Sequence, residues 1–476
     1  MSIKISRRRF ISGTALAAAS FHIVPRHVLG GDGHTPPSEE LTRAVIGIGG
    51  VARVHLTHKD YQIGRLLAVC DVDSGPAHLG YATGLGDKEV KAYKDFRELL
   101  DRADIDVVHL CTPPHWHALM SVAAAEAGKD IWCEKPMTRT IGEGQKVVDA
   151  VRKHNRIFRL NTWFRFRDTF YGMGTPVAPI KKLVDAGILG WPLTAFIGPS
   201  TGFDWKLNLT QGRTDLTPQP VPQELDYDMW LGPAPRKPYH PHRVHGTFRC
   251  YWDYDGGGLG DMGQHYLDPV QYLLGKDRTN PVEIEADADP QHPDACGWWR
   301  RIEMKYADGC KIILDSGNDV QPFLTGPDGK LFPGLRSDIP NLLSKLDELP
   351  NPAPQVTNFQ QAVKKRKKFA LNEENGHASC TLVNLAKIAV RLGRKLRFDP
   401  KSSRSLEIKK PTNSSTKPCG SHGSCKHGIQ NEIPQSGDRV VRLDLCIPEL
   451  PPPTQSRGTT GDFFRSTDRG GFYLYL

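Results

Sequence analysis

The chain contains little cysteine. Ten cysteines in 476 residues are too few for a disulfide scaffold. Cys70, Cys111 and Cys133 lie at the ends of predicted buried strands, where cysteine behaves as a small hydrophobic residue. Cys419 and Cys425 have histidines nearby, but the C-x2–4-C pairs typical of zinc sites are missing there. We therefore expect no disulfide framework and no metal site.

Long apolar runs and extreme charge are also lacking. No segment has the roughly 20 consecutive apolar residues that a membrane span requires. The net charge of +9 is modest for this length. The densest basic run, residues 364–368, has no aromatic platform beside it, so a solvated helix face is the simpler interpretation. We expect no membrane span and no nucleic-acid partner.

The amino terminus has the layout of an export signal. Ser6-Arg7-Arg8-Arg9-Phe10-Ile11 resembles the twin-arginine signature, and a stretch of small and apolar residues follows as far as Val24. A basic amphipathic helix is the alternative interpretation. No clear A-x-A cleavage site is present. We predict that residues 1–40 are a signal and linker and that the protein is periplasmic or otherwise extracytoplasmic.

A dinucleotide-binding pattern begins at residue 43. A short strand, residues 43–46, runs into a G-x-G-x-x-A loop that opens a helix, and a second strand ends at an acidic residue about 20 positions later. In this pattern the glycines permit a tight turn and a close approach of pyrophosphate, the small last residue lets helix pack on strand, and the carboxylate binds ribose. The candidate cofactor-binding residues here are Gly47, Gly49, Gly50, Ala52 and Asp71.

The stretch from Asp106 to Pro136 organises the rest of the chain. A buried strand, residues 107–111, is followed by Thr112-Pro113-Pro114, a helix over about residues 117–126, and a second strand that ends at Glu134-Lys135-Pro136. Ligands of open parallel sheets bind outside the carboxyl ends of the strands. Both segments are therefore expected on one rim, above one crevice.

The element pattern predicts an α/β protein of two domains. Alternating strands and helices in residues 41–160 indicate a Rossmann-type, doubly wound parallel sheet. Residues 161–400 contain half-buried strands, a hairpin signal at Ala307-Asp308-Gly309 and a helix over 378–392, which indicate an α/β domain with an open, mainly antiparallel sheet. Residues 401–476 lack hydrophobic periodicity, and we predict an irregular tail that is disordered or aberrant.

A second chemical signal follows a glycine run near residue 256. On the predicted helix, Asp261 and His265 are four residues apart and share a face, with Asp268 one turn further on. An aspartate beside an imidazole can hold it as a general base. A structural pair is the default for such a spacing, but the glycine run, which lets other groups approach closely, favours a functional role.

Together these motifs resemble the Gfo/Idh/MocA oxidoreductases, in particular their twin-arginine-exported bacterial branch. The resemblance covers roughly residues 41–400 and rests on the glycine loop, on Glu134-Lys135-Pro136 and on Asp261-x-x-x-His265. It implies a catalytic Lys135 that hydrogen-bonds the reacting hydroxyl, His265 as acid/base, and Asp261 orienting or assisting it. The further cofactor contacts that it implies are Thr112, Pro113, His117, Glu134 and Lys135.

The resemblance also implies ligands and partners. The cofactor is NAD or NADP, with NAD favoured because no arginine closely follows Asp71. The substrate is a sugar or polyol, and the protein is a homo-oligomer, either dimer or tetramer. Proline precedes His115 where the related branch often has a polar residue, so the role of His115 in substrate binding stays open. Arg165 and Arg167 either face the cleft or are structural.

Three functions fit these features. The first is an NAD(P)-dependent oxidoreductase acting on sugar or polyol hydroxyl carbons, with a cofactor that is either exchangeable or tightly held. The second is an NAD-dependent glycoside hydrolase of the same superfamily, which needs the same cofactor site, lysine and histidine. The third is a non-catalytic sugar- or cofactor-binding protein, against which the intact Lys135, Asp261 and His265 argue.

Overall fold

The protein is built on two β-sheets joined by helices. The computed structural model describes residues 40–85, 90–162, 165, 176–201, 212–317, 321–400, 405–407 and 440–442. One sheet is six-stranded and parallel, and the other is ten-stranded and mostly antiparallel. The predicted α/β fold with a parallel first sheet and a largely antiparallel second sheet is confirmed.

The first sheet has strand order β3-β2-β1-β4-β5-β6, all parallel. The order reverses between β1 and β4, and the crevice at such a switch point is where open α/β sheets bind ligands. Strand β4 is buried along its whole length, as its apolar sequence predicts. The strands are β1 Thr42–Ile46, β2 Arg65–Cys70, β3 Lys91–Tyr93, β4 Val107–Leu110, β5 Asp130–Glu134 and β6 Phe158–Asn161.

Within the described residues, five helices accompany this sheet. One of them starts at Pro114, three residues before its predicted start, because proline fits the first turn of a helix, where its missing N–H costs nothing. Another is fixed by a capping box between the Thr140 and Glu143 side chains and backbones. The helices are α1 Gly50–Thr57, α2 Leu79–Gly84, α3 Phe96–Leu100, α4 Pro114–Glu126 and α5 Ile141–Lys153.

The second sheet has the order β13-β12-β11-β7-β10-β9-β8-β14-β15-β16. Only the β7–β10 pair is parallel among the pairs described. The predicted hairpin at residues 307–309 joins β9 to β10, with Gly309 at φ +90°. The strands are β7 Thr194–Ile197, β8 Glu283–Ala288, β9 Trp299–Lys305, β10 Lys311–Asp315, β11 Leu324–Gly326, β12 Gly329–Phe332, β13 Arg336–Ser337, β14 Leu396–Phe398, β15 Ser405–Glu407 and β16 Val440–Arg442.

Two long helices cover one face of the second sheet and form its core. They pack on each other, where Gly263 faces Val383 with no side chain between. The longer helix also contacts α5, because Gly144 leaves room for the His377 ring. This helix therefore ties the two halves of the molecule together. The helices of this half are α6 Val177–Asp185, α7 Tyr227–Leu231, α8 Gly257–Leu273, α9 Leu342–Glu348, α10 Phe359–Lys364 and α11 Glu373–Leu392.

The tail differs from its prediction in two places. Residues 405–407 and 440–442 were expected to be irregular but form β15 and β16, which extend the sheet from β14. An exposed strand edge offers unpaired backbone groups that can recruit a further strand, and three-residue strands are too short for periodicity to reveal. The rest of the tail, including Cys419 and Cys425, and the predicted export signal lie outside the described residues. Among the helices described, none combines the length and the apolar character that a membrane crossing needs.

Candidate active site

A cavity of about 560 Å³ lies between the two halves of the chain. It opens at the carboxyl ends of β1, β2, β4 and β5, and its far wall is the start of α8. Most of the predicted site residues line it, both those of the glycine loop and those of the Lys135 and His265 segments. The structure thus brings together residues that are up to 218 positions apart in the sequence, Gly47 and His265.

The glycine loop fits a pyrophosphate group. Gly47 has φ +84°, and a Cβ there would lie 2.7 Å from the backbone nitrogen of Thr112, so no other residue fits without strain. A Cβ at Gly49 or Gly50 would meet nothing within 4 Å, which leaves open space in front of the first turn of α1. Ala52 is fully buried and does not line the cavity; it packs α1 onto the sheet, as its small size predicts. The backbone N–H groups of this turn are available to a phosphate.

Asp71 is held at the end of β2 by backbone groups. Its Oδ2 accepts a hydrogen bond from the Ile48 N–H at 2.5 Å, and its Oδ1 accepts one from the Asp73 N–H at 2.9 Å. The carboxylate lines the cavity beside the glycine loop. This is the position from which a carboxylate can bind the ribose of a dinucleotide.

Two histidines that the sequence did not single out lie beside Asp71. The His78 and His245 rings stack with centroids 4.3 Å apart, and His245 Nε2 is 3.3 Å from Asp73 Oδ2. The Asp71 carboxylate, with Oδ2 3.7 Å from His78 Nδ1, raises the pKa of His78, whereas burial and the His78 charge lower that of His245. The ligand atoms of Asp73, His78 and His245 lie within 4.8 Å of one another. His245 comes from the second half of the chain, so this cluster closes the ribose end of the cavity.

The Thr112 and Pro136 loops are tied together by His117. Its Nδ1 is 2.7 Å from the Pro136 carbonyl oxygen and its Nε2 is 2.8 Å from the Thr112 carbonyl oxygen. The ring is buried and does not line the cavity, whereas Thr112 and Pro113 do. In this structure His117 therefore positions the two loops, and it offers no ring nitrogen to the cavity.

Glu134 sits in a buried polar chain at the end of β5. Its Oε1 accepts hydrogen bonds from His55 Nε2 at 2.7 Å and Asn161 Nδ2 at 2.5 Å, and His55 Nδ1 is 2.9 Å from His109 Nδ1. Burial alone would raise the pKa of Glu134, but the bonds from His55 and Asn161 bring it below its ordinary value. The resulting carboxylate anchors the strand that delivers Lys135 to the cavity.

Lys135, Asp261 and Arg249 form an ion-pair cluster at the cavity wall. Lys135 Nζ donates to the Asp261 carbonyl oxygen at 2.5 Å and to its Oδ1 at 2.7 Å, and Arg249 Nε donates to the same Oδ1 at 2.9 Å. Burial would raise the pKa of Asp261, but Lys135 and Arg249 hold it well below its usual range. Asp261 is therefore a fixed anion that holds two cations in place.

His265 lies one helical turn after Asp261 on α8, so the predicted shared face is observed. It is 1% exposed and lines the cavity together with Lys135 and Asp261. Among ordinary side chains, imidazole is the one best suited to exchange a proton near neutral pH. A proton acceptor and an ammonium group thus face the same space.

Two more cavity residues were not anticipated from the sequence. Arg249 lies in a short 3₁₀-helix, His245–Cys250, and Asp255 lies in the loop before α8, and no hydrophobic period marks either residue. Burial and the nearby Asp261 raise the pKa of Asp255 to about 7. The glycine run was the only local signal that this segment approaches a ligand.

Arg165 and His115 are structural. Arg165 is fully buried and forms ion pairs with Asp268 at 2.8 Å and Asp277 at 2.7 Å, away from the cavity lining. His115 packs against Trp230, whose carbonyl oxygen lies 3.0 Å from its Nε2, and it does not line the cavity. Arg167 lies outside the described residues. These positions settle the role of Arg165, which the sequence left open.

The fold and this site agree with the family comparison. Residues 41–162 match the domain described as "Oxidoreductase family, NAD-binding Rossmann fold", and residues 173–418 match "Oxidoreductase family, C-terminal alpha/beta domain". The chain belongs to the Gfo/Idh/MocA oxidoreductase family.

Curated relatives are similar over part of their length. Levoglucosan dehydrogenase from Pseudarthrobacter phenanthrenivorans is 31% identical over 183 residues, which cover 38% of this chain and 36% of that protein. Inositol 2-dehydrogenase from Salmonella typhimurium is 30% identical over 158 residues, 32% of this chain and 44% of that protein. A glycosyl hydrolase family 109 protein from Shewanella pealeana is 28% identical over 172 residues, 32% of this chain and 38% of that protein. Each match spans less than half of the relative.

A solved structure shares the fold. The WlbA dehydrogenase from Chromobacterium violaceum, crystallised with NADH and UDP-GlcNAcA, superposes with a TM-score of 0.53 at 17% identity. The match covers 76% of this chain and 96% of that chain. At this identity the likeness concerns the architecture of the two sheets.

Proposed function

We propose that the protein is an NAD-dependent oxidoreductase that transfers hydride between a sugar or polyol hydroxyl carbon and a nicotinamide cofactor. One observation carries the proposal. A single cavity joins the glycine loop and Asp71, which suit a dinucleotide, to Lys135, Asp261 and His265, which suit the chemistry of an alcohol. The relatives named as levoglucosan and inositol dehydrogenases support the substrate class.

The chain's own residues supply binding and proton transfer. When bound, the nicotinamide supplies a hydride acceptor or donor. The Lys135 ammonium has three N–H groups, and two of them are directed at Asp261, which leaves one to donate to the reacting oxygen. That bond stabilises the negative charge that develops on the oxygen. His265 takes the hydroxyl proton on oxidation and returns it on reduction, a role worth roughly 10²–10⁴-fold in rate.

NAD is the favoured cofactor on charge grounds. The ribose end of the cavity carries two carboxylates, Asp71 and Asp73, within reach of the same space. A 2′-phosphate would be repelled by them, whereas a 2′-hydroxyl can donate a hydrogen bond to Asp71. Titration with NAD and NADP should give a lower Kd for NAD, and a lower Kd for NADP would overturn this preference.

The protein is also proposed to be exported and oligomeric. The twin-arginine-like residues 6–11 support export, and the exported enzyme would keep its cofactor tightly bound because no free NAD pool is supplied outside the cytoplasm. A dimer or tetramer is proposed because the family resemblance implies a homo-oligomer. Cell fractionation and light scattering of the purified protein test these two statements separately.

A glycoside hydrolase is the second candidate, supported by the similarity to the glycosyl hydrolase family 109 protein. It would use the same lysine and histidine in a cycle with no net redox change. Net accumulation of reduced cofactor distinguishes the dehydrogenase from redox-neutral release of an aglycone.

The test uses the purified full chain with a panel that includes myo-inositol and levoglucosan. We expect an increase in absorbance of the reduced nicotinamide with NAD and at least one member of the panel, and its loss in K135M and H265A. The exposed Lys330 does not line the cavity and provides the matched control, K330M, which should behave as wild type. Folded protein that binds neither NAD nor NADP would refute both enzyme candidates and favour a binding protein.

A further inference from the structure

Asp255 is a buried carboxyl group at the cavity wall with unused hydrogen-bonding capacity. It is 2% exposed and lines the same cavity as Lys135 and His265. Its Oδ1 has no hydrogen-bond partner among the residues that the structure describes. Leaving a buried polar atom unpaired typically costs about 1–3 kcal/mol, so such an atom calls for an explanation.

The local packing does not explain the carboxyl group. Lys387 Nζ donates to the backbone carbonyl of Asp255 at 3.0 Å, a contact that any residue at this position could make. The side chain fits because residue 260 is glycine, since a Cβ there would lie 2.3 Å from Asp255 Oδ1. Glycine at position 260 thus admits the Asp255 carboxyl group, whose Oδ1 lies next to Gly260 without a hydrogen-bond partner among the described residues.

The charged surroundings favour a ligand there. Asp261 and the cations Lys135, Arg249 and Lys387 all act on Asp255 electrostatically. Asp261 already accepts hydrogen bonds from Lys135 and Arg249, and Lys387 donates hydrogen bonds to backbone oxygens. Among the described residues in this part of the cavity, Asp255 Oδ1 is a carboxyl oxygen without a hydrogen-bond partner in the protein.

We propose that the Asp255 carboxyl group hydrogen-bonds a second hydroxyl group of the substrate, next to the one that Lys135 and His265 act on. The inference rests on the proposed function and narrows it, because it requires a polyhydroxylated substrate. Because its pKa lies near neutrality, the Asp255 carboxyl group can accept a hydrogen bond when ionised or donate one when protonated. A hydroxyl group can likewise donate or accept a hydrogen bond. A site built to bond a hydroxyl group rejects analogues that lack it.

The experiment measures binding to the full chain in the presence of NADH, so that no hydride transfer from the alcohol can occur. The probes are myo-inositol and its monodeoxy isomers, titrated by calorimetry into wild type, D255A and the isosteric D255N. Wild type should bind one deoxy isomer roughly 10- to 100-fold more weakly than myo-inositol, the range expected for a bond to an ionisable group. D255A should bind myo-inositol and that isomer equally, with D255N in between.

The matched control is D253N. Asp253 is two residues away and pairs with Lys237 Nζ at 2.5 Å without lining the cavity, so this variant should keep the wild-type ratio. Thermal melting of each variant verifies that it is folded. Turnover with NAD, measured in parallel, reports on the proposed function separately. The inference is overturned if D255A weakens all probes by one common factor, or if wild type binds none of them.

Discussion

Replacing Asp255 with asparagine should change how the free energy of unfolding depends on pH. In the folded protein, burial raises the pKa of Asp255 to about 7, with Asp261 adding to the effect and Lys135 and Lys387 opposing it. In the unfolded chain an aspartate titrates near pH 3.9. Between these two values the folded state keeps a proton that the unfolded state has released.

The sign follows from this difference. Because the folded state binds more protons at Asp255, the contribution of this residue to the free energy of unfolding falls as the pH rises from about 4 to about 7. The interval is about three pH units, and each unit corresponds to about 1.4 kcal/mol, so Asp255 makes the wild type less stable by on the order of 4 kcal/mol at pH 7 and above than at pH 4. The amide of D255N does not titrate and escapes this loss.

The assay is urea denaturation of wild type and D255N at several pH values from 4 to 8. Taking the difference between the two proteins cancels the other titrating groups, and we expect D255N to gain stability relative to wild type up to about pH 7 and no further. Asp294 supplies a control with the opposite pH dependence. Burial would raise its pKa, but Arg243 and Lys237 lower it overall, so its stabilising effect is lost only as the pH falls below about 4. A difference between D255N and wild type that stays flat from pH 4 to 8 refutes the reasoning.

Two further predictions concern the glycine loop and the buried arginine. G47A should lower the free energy of unfolding by roughly 1–3 kcal/mol and weaken NAD binding, because alanine is strained at φ +84° and its Cβ would meet the Thr112 backbone. Urea denaturation and NAD titration test this prediction. An NAD affinity equal to that of the wild type would contradict it. R165M should destabilise the fold by about 3–5 kcal/mol, since it leaves Asp268 and Asp277 without their buried counter-charge, yet the folded variant should bind NAD normally. Weakened NAD binding in folded R165M would instead give Arg165 a part in the site.

The predictable parts of the structure are those that short stretches of neighbouring residues determine. The first sheet follows from short β-branched runs that alternate with helical periods, and the Gly47 loop follows from the backbone needs of a tight turn. The Lys135 and His265 segments were expected at the cavity because each is at the end or start of an element that points there. Such signals reside within about 15 residues of sequence.

The remaining site residues depend on contacts that no local pattern encodes. His245 reaches Asp73 from the other half of the chain, and Arg249 and Asp255 lie in a short 3₁₀-helix and a loop that show no hydrophobic period. For His117, the sequence predicts the position of the residue but not the direction of its side chain. Its position after a strand is predictable, but the direction of its ring depends on two carbonyl groups, one of them 19 residues later in the chain.

The role of Asp261 is where the geometry adds most to the sequence, and a double-mutant cycle tests it. The resemblance implies that Asp261 orients or assists His265, whereas the contacts show it holding Lys135 and Arg249. If it acts by holding these cations, R249M should lower kcat/KM about tenfold, the cost of one charge-assisted bond, because the pair with Lys135 survives.

D261N should lower kcat/KM roughly 10²-fold or more, because it weakens the bonds to both cations at once. The double variant should then be little worse than D261N, since Arg249 has lost the partner through which it acts. The measurement is kcat/KM for the wild type, the two single variants and the double variant, each verified as folded. Effects that add within about 0.5 kcal/mol would show that Arg249 does not act through Asp261, and they would return Asp261 to the role of orienting His265.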